Sequence, residues 1–294
     1  MTDLRSALDQ ATRERVAIGH FNVSEIVALR ASFAAARELQ VPVLIGVSEG
    51  ERDFIGVRQI AALVKSLRDE FDYPIFLNAD HTHTLERAIE AAKAGFDEVI
   101  FDGSSLDFET NVKKTKEAVE KLKSINPAII VEGEIGYIGT SSVIHDDVPA
   151  GVGVLTTPEE AKQFVDATNI DVLAPAVGNM HGLLRSMVTG ETHKHLNIPR
   201  IREIKEATRV FLTLHGGSGT DDADLAGAID AGIDIVHINT ELRVAWRRGV
   251  ETALRDHPDE VTPYKLLPAA YDNVHEVGLE RLKLFNQAST ARLG

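Results

Sequence analysis

Eight short, β-rich apolar runs recur along the chain, most of them followed by an amphipathic stretch, and this alternation restricts the fold more than any other feature. The runs are residues 16–23, 41–48, 74–80, 98–104, 128–136, 171–178, 211–217 and 234–239. Each is nearly continuous in apolar side chains, the pattern of parallel strands covered on both faces. Helical stretches fill the gaps. Residues 24–39 begin at Ser24, a capping residue, and residues 84–94 end at Gly95, suited to a helix C-terminus. Pro158 opens another helix, where its missing N–H is harmless, and residues 108–123, 222–231 and 241–254 follow. Eight strands alternating with helices predict an α/β protein, a closed (β/α)8 TIM barrel in preference to an open doubly wound sheet. Residues 272–293 read as an additional C-terminal helix. With 294 residues and no linker or shift in composition, one domain spanning 1–294 is expected.

Composition excludes several classes of function. The net charge of −14 is spread along the chain and opposes nucleic acid and anionic membrane as partners. It also requires that any phosphate be held by local groups, backbone N–H donors and a nearby cation. The chain has no cysteine, so disulfides, thiolate zinc sites and cysteine nucleophiles are ruled out. No opening apolar segment reads as a signal peptide, and no run approaches the roughly 18 residues that span a bilayer. A cytoplasmic protein is the expectation.

In this architecture chemistry gathers at the C-terminal ends of the strands. Asp80-His81 ends the third run, Gly178-Asn179-Met180-His181-Gly182 follows the sixth, and His215-Gly216-Gly217-Ser218-Gly219 ends the seventh. Three imidazoles therefore reach one rim, and three histidines with an open position form a catalytic arrangement for a zinc-like metal. Asp80 is placed to work beside such a metal. Gly216-Gly217-Ser218-Gly219, with Asn239-Thr240 at the start of a helix, matches the usual phosphate site after the last two strands. No predicted strand carries a lysine, so Schiff-base aldol chemistry has no nucleophile there. His193 and His195 lie in a polar loop, and His20, His145 and His275 have no evident partner. His83, two residues past His81, either supports it or has no role.

On these motifs, supported by Phe101-Asp102-Gly103-Ser104, Glu132-Gly133-Glu134-Ile135-Gly136 and Asn239-Thr240-Glu241-Leu242-Arg243, the chain resembles the class II, zinc-dependent fructose-bisphosphate and tagatose-bisphosphate aldolases over nearly its whole length. The resemblance implies that His81, His181 and His215 hold Zn2+ or another divalent transition metal, with a monovalent cation as a second candidate cofactor. It implies that Asp80 is the acid/base. Gly182, Gly216, Gly217, Ser218 and segment 237–240, with His237, Asn239 and Thr240, would hold the dihydroxyacetone-phosphate half. Arg185 stands for the usual phosphate-contacting lysine. Asp102 and Glu134 correspond to an alternative metal position, and Asn22, Ser48 and Arg281 to contacts with the distal half of a phosphorylated sugar. A homodimer or larger assembly is the family habit.

Three departures mark the substrate-shaping positions. Asn78-Ala79 precede Asp80-His81, and Gly139-Thr140-Ser141-Ser142 stands where a glycine pair and an acid are usual, with Asp146 and Asp147 the nearest carboxylates. His237 replaces an asparagine, and is expected to titrate near neutrality and to move the substrate away from fructose 1,6-bisphosphate. The rival readings are a metal-dependent sugar-phosphate isomerase or epimerase and a non-catalytic sugar-phosphate-binding barrel. Retention of Asp80 beside all three ligands favours the aldolase, since a binder has no use for the proton carrier.

Overall fold

The computed structural model describes residues 2–139 and 141–287. Among them run ten strands: β1 (Ile18–Asn22), β2 (Val43–Val47), β3 (Ile75–Thr82), β4 (Glu98–Phe101), β5 (Ile130–Ile135), β6 (Ile144–His145), β7 (Val172–Pro175), β8 (Leu183–Leu184), β9 (Phe211–Leu214) and β10 (Ile235–Ile238). All but β6 and β8 form a closed parallel barrel, in which β10 returns to pair with β1. The eight predicted runs are the eight barrel strands, and the fold is a TIM barrel.

The period of two along each strand divides the interior into layers. At the floor, Ile18, Leu44, Phe76, Ile130, Val172 and Ile235 pack on Leu4, Leu8 and Ala11 of the helix Leu4–Glu14, which plugs that end. Two residues further along the same strands the interior turns polar, with His20, Asn78, Glu132, Thr213 and His237 all buried. One step higher stand Asn22, Asp80, Glu134, His215 and Asn239. The outward residues of the strands, such as Phe21, Ile45, Leu77, Val131 and Val236, are sealed under the helices in one apolar shell. With an apolar floor and outer shell, the polar groups among the described residues face the C-terminal rim.

Glu98 belongs to this polar interior. It is fully buried and accepts a 2.7 Å hydrogen bond from Asn78 Nδ2, while its other oxygen finds no hydrogen-bond partner among the described residues. Burial, followed by the nearby Glu132 carboxylate, pushes its pKa well above the ordinary range. The folded protein therefore binds this proton more tightly than the unfolded chain. That contribution to stability is complete below the unfolded value of about 4.3 and is lost as pH rises toward the folded value. Glu98→Gln, which mimics the protonated carboxyl, is expected to lose less thermal stability than the wild type between pH 5 and 9. Parallel melting-temperature curves for the two proteins would contradict this.

Several boundaries differ from the sequence expectation. The second helix runs Ile26–Leu39, capped by the Glu25 carboxylate at the N–H groups of Val27 and Ala28 in place of Ser24. Two helices, Glu49–Ile55 and Val57–Phe71, fill the interval between β2 and β3, where no helix was assigned from sequence. The C-terminal helix spans Pro268–Phe285, starting earlier than residue 272 because Pro268 suits a first turn. Residues 288–293 of that expected helix lie outside the described residues, as does Thr140. The helix packs between Ile26–Leu39 and Thr240–Asp256. Gly249 permits the close approach, since a Cβ there would lie 2.5 Å from Ala269 O and the Ala270 backbone.

Candidate active site

Consecutive residues of a regular strand face opposite sides, so Asp80 and His81 could not both face the interior of an undistorted β3. The pairing of β3 with β4 shifts register between Ala79 and Thr82, and His81 adopts a left-handed φ of 39°. This bulge turns the imidazole back over the barrel beside Asp80. The Asp102 carboxylate, 2.8 Å from His81 Nδ1, fixes the ring, with Nε2 3.8 Å from Asp80 Oδ1.

The other two histidines arrive on the loops after β7 and β9. His181 follows a glycine turn, Gly178 having φ 105°, and its N–H donates to Ile138 O at 2.8 Å. Asn179 Nδ2 donates to His215 O at 3.0 Å and so ties the two loops together. His215 Nε2 meets the Glu132 carboxylate at 2.7 Å. His181 Nε2 and His215 Nδ1 are buried without hydrogen-bond partners among the described residues. Ring nitrogens of His81, His181 and His215 lie within 4.8 Å of one another. Unsatisfied nitrogens converging in this way, each ring oriented by a carboxylate or by its loop, suit a metal ion.

Electrostatics agree with the geometry. Burial works against a charge on His81, but Asp80, Asp102 and Glu134 outweigh it and lift the pKa to about 10. His181 is pushed well down, by burial and then by His81 and His215. Burial raises Glu134 to about 8, with help from Asp102. Burial opposes ionisation of Asp80, yet His81, His20, His215 and the Asn22 hydrogen bond hold its pKa well below the usual carboxylate range. The pocket favours one positive charge among its three imidazoles and keeps Asp80 ionised.

A cleft of about 270 Å³ opens onto this cluster, lined by Ser48, Glu49, Asp80, His81, Asp102, His181 and Arg243 among others. Beneath it a smaller cavity is bordered by Asn22, Asp80, Ser142, His181, Gly182, Gly216, Ser218, His237, Asn239 and Thr240.

A family model described as class II fructose-bisphosphate aldolase matches residues 2–290. The chain belongs to this family. It is 31% identical over 295 residues to the fructose-bisphosphate aldolase of Geobacillus stearothermophilus, covering 99% of both chains. It is 31% identical over 290 residues to the sulfofructosephosphate aldolase of Alkalicoccus urumqiensis, covering 98% of this chain and 97% of that one. The solved structure of the YdjI aldolase from Escherichia coli K12 matches with a TM-score of 0.82 at 30% identity, over 99% of each chain. The protein is a divergent class II aldolase, a carbon–carbon lyase.

Most residues singled out from the sequence of this aldolase lie around the two connected spaces, and a few do not. Arg185 is 72% exposed and pairs with Asp146 of the loop after β5, so both reach outward from the mouth. Gly217 does not border the small cavity; its N–H donates to His237 O at 3.0 Å and locks β9 to β10. Arg281 pairs with Glu241 and Asp222, and Glu241 in turn accepts the Gly219 N–H at 2.7 Å, so this arginine braces the glycine loop from behind. Asn22 holds Asp80 at 2.8 Å and Glu51 at 3.0 Å. Asp102 and Glu134 form a second ligand-capable group with His81.

His237 departs from expectation in its chemistry. It lines the small cavity, but it is stacked between His20, at 3.5 Å between ring centroids, and His215, at 4.1 Å. Burial and the surrounding imidazoles push its pKa well down, so it stays neutral where titration near neutrality was expected. Residues the sequence reading left without a role include His20, Glu132 and Lys194. For Glu132, the Gly133-Glu134 motif was a signal that could have flagged it; His20 and Lys194 gave none.

Proposed function

We propose that this aldolase is metal-dependent and reversibly cleaves a phosphorylated ketose to dihydroxyacetone phosphate and an aldehyde. The observation that carries the reading is the convergence of ring nitrogens of His81, His181 and His215 within 4.8 Å of one another, those of His181 and His215 without hydrogen-bond partners among the described residues, beside an ionised Asp80 and a glycine-lined cavity. His81, His181 and His215 would hold a divalent transition ion, with zinc the first candidate. When bound, such an ion supplies a Lewis acid that polarises the ketose carbonyl and accepts charge as the carbon–carbon bond breaks.

The chain's own residues supply the rest. In the cleavage direction the Asp80 carboxylate takes the proton of the hydroxyl on the carbon that becomes the aldehyde. That hydroxyl oxygen becomes the aldehyde carbonyl, the electron pair of the broken bond passes to the former ketose carbonyl, and the carbon left behind then takes up one proton to give dihydroxyacetone phosphate, the proton that condensation must first remove. In condensation Asp80 returns the proton to the aldehyde oxygen. Asn22 fixes the carboxylate from one side, leaving Oδ1 without a hydrogen-bond partner among the described residues. Gly182, Gly216, Ser218 and Thr240, at the start of the helix Thr240–Asp256, would cradle the phosphate and so orient the reacting carbons. Ser48 and Arg243 line the outer cleft where the distal half would lie, and the relative acting on a sulfonated ketose phosphate makes an anionic distal group a reasonable choice.

The test is incubation of the protein with a series of ketose phosphates, including fructose 1,6-bisphosphate and 6-sulfonated fructose 1-phosphate, with products identified chemically. Dihydroxyacetone phosphate and an aldehyde are expected, with no product from unphosphorylated ketoses. Isomer without aldehyde, or equal rates on free and phosphorylated sugars, would overturn the reading.

A further inference from the structure

Lys194 lies in the loop between β8 and the helix Ile198–Thr208 and is 4% exposed. Its Nζ is surrounded by four backbone carbonyl oxygens, those of Met180 at 2.7 Å, Gly182 at 2.7 Å, Gly216 at 2.9 Å and Ser218 at 2.6 Å. An ammonium has three hydrogens to donate, so four acceptors at these distances enclose it as a shell. Carbonyl groups enclose a dehydrated alkali cation in the same manner. The backbone of Lys194 is pinned as well, its N–H donating to Gly219 O at 2.8 Å and its carbonyl accepting from Asp221 N–H at 3.0 Å.

The origin of the four carbonyls gives the lysine its meaning. Met180 and Gly182 bracket His181, and Gly216 and Ser218 follow His215. Gly182, Gly216 and Ser218 also border the small cavity assigned to phosphate. The two loops touch through backbone, since a Cβ on Gly216 would lie 2.2 Å from Met180 O. Four carbonyl dipoles aimed at one point repel unless a cation sits there. No carboxylate is hydrogen-bonded to Nζ among the described residues, because the nearby Glu241 is engaged by Gly219 N–H and Arg281. Burial pushes the Lys194 pKa down to about 7 and Glu241 pulls it back up, while the four acceptors favour the ammonium; in that form its charge is available to the cradle, whereas the arginine expected there from sequence points outward to Asp146.

We propose that Lys194 is a positioning residue that supplies this site with a built-in monovalent cation. Its ammonium holds the two ligand-bearing loops in register and lends positive charge to the phosphate cradle, so the aldolase requires no dissociable alkali ion there. The inference rests on the aldolase reading only in taking the cradle's ligand to be a phosphate.

The experiment compares wild type with Lys194→Ala, each zinc-loaded, in tetramethylammonium buffer with and without added K+ or NH4+. Binding of dihydroxyacetone phosphate and of inorganic phosphate is measured by calorimetry, together with kcat and KM on a cleaved ketose phosphate. Wild-type affinities are expected to be indifferent to K+ and NH4+. Lys194→Ala is expected to bind both phosphates on the order of tenfold more weakly, about 1.4 kcal/mol. Its KM should rise more than its kcat falls, and K+ or NH4+ should restore binding saturably. Lys194→Met, which fills the space without charge, should show the loss without the rescue. Phosphate affinity in Lys194→Ala equal to wild type, or a saturable gain by the wild type from K+, would overturn the proposal. Should the variants not fold, the wild-type titration decides alone. Because phosphate binding is read separately from turnover, absence of cleavage would count against the aldolase reading and leave this one standing on the calorimetry.

Discussion

Asp80→Ala is expected to retain its metal and to lose turnover by roughly 10²–10⁴-fold, the usual range for a general acid/base. The three imidazoles do not depend on this carboxylate for their orientation. Asp102 fixes His81, Glu132 fixes His215, and the glycine turn with its Ile138 contact fixes His181. Removal of the carboxylate leaves Asn22 still bound to Glu51, so the polar layer loses one hydrogen bond and keeps its framework. What disappears is a base held ionised by its neighbours and bordering the small glycine-lined cavity. Asp80→Asn should behave alike in rate while keeping the Asn22 contact, which separates proton transfer from packing. Metal analysis and kcat on the same preparations check the expectation. Loss of metal with undiminished activity per bound ion would show Asp80 to be a ligand instead.

Removal of the metal is expected to abolish cleavage outright, and zinc or cobalt to restore it. The metal-free pocket satisfies its electrostatics with a proton, since three carboxylates raise His81 to about 10 against the effect of burial. A ligand imidazole must be neutral, so loading at pH 7 should release that proton. Apparent affinity should accordingly rise with pH through the neutral range. Calorimetry in buffers of different ionisation enthalpy measures the released proton, and activity after chelation measures the dependence. Full activity in excess chelator, or trapping of substrate on a lysine by borohydride, would refute the metal mechanism. The second outcome has little structural opportunity: no barrel strand bears a lysine, and the Lys194 amine is enclosed by four carbonyls.

Much of this protein was legible in its sequence because the relevant information is local. Apolar runs buried on both faces identify the strands, and a chain that alternates such runs with amphipathic helices has few ways to close. The rule that chemistry collects at strand ends then brings Asp80, His81, His181, His215 and the Gly216–Gly219 turn together without any knowledge of angles. Tertiary structure alone decided the rest. The bulge that lets Asp80 and His81 share one side of the barrel depends on the register between β3 and β4. The His20–His237 stack depends on closure of β10 onto β1, which pairs those two residues across more than 200 positions of sequence. The outward turn of Arg185 follows from its partner Asp146 on another loop, and the Lys194 ammonium gains its shell of carbonyls only once the loops after β7 and β9 meet around it. A lysine in a polar loop has the same sequence signature whether its ammonium is solvated by water or by four carbonyls. Only the closed barrel, by removing the water, distinguishes the two.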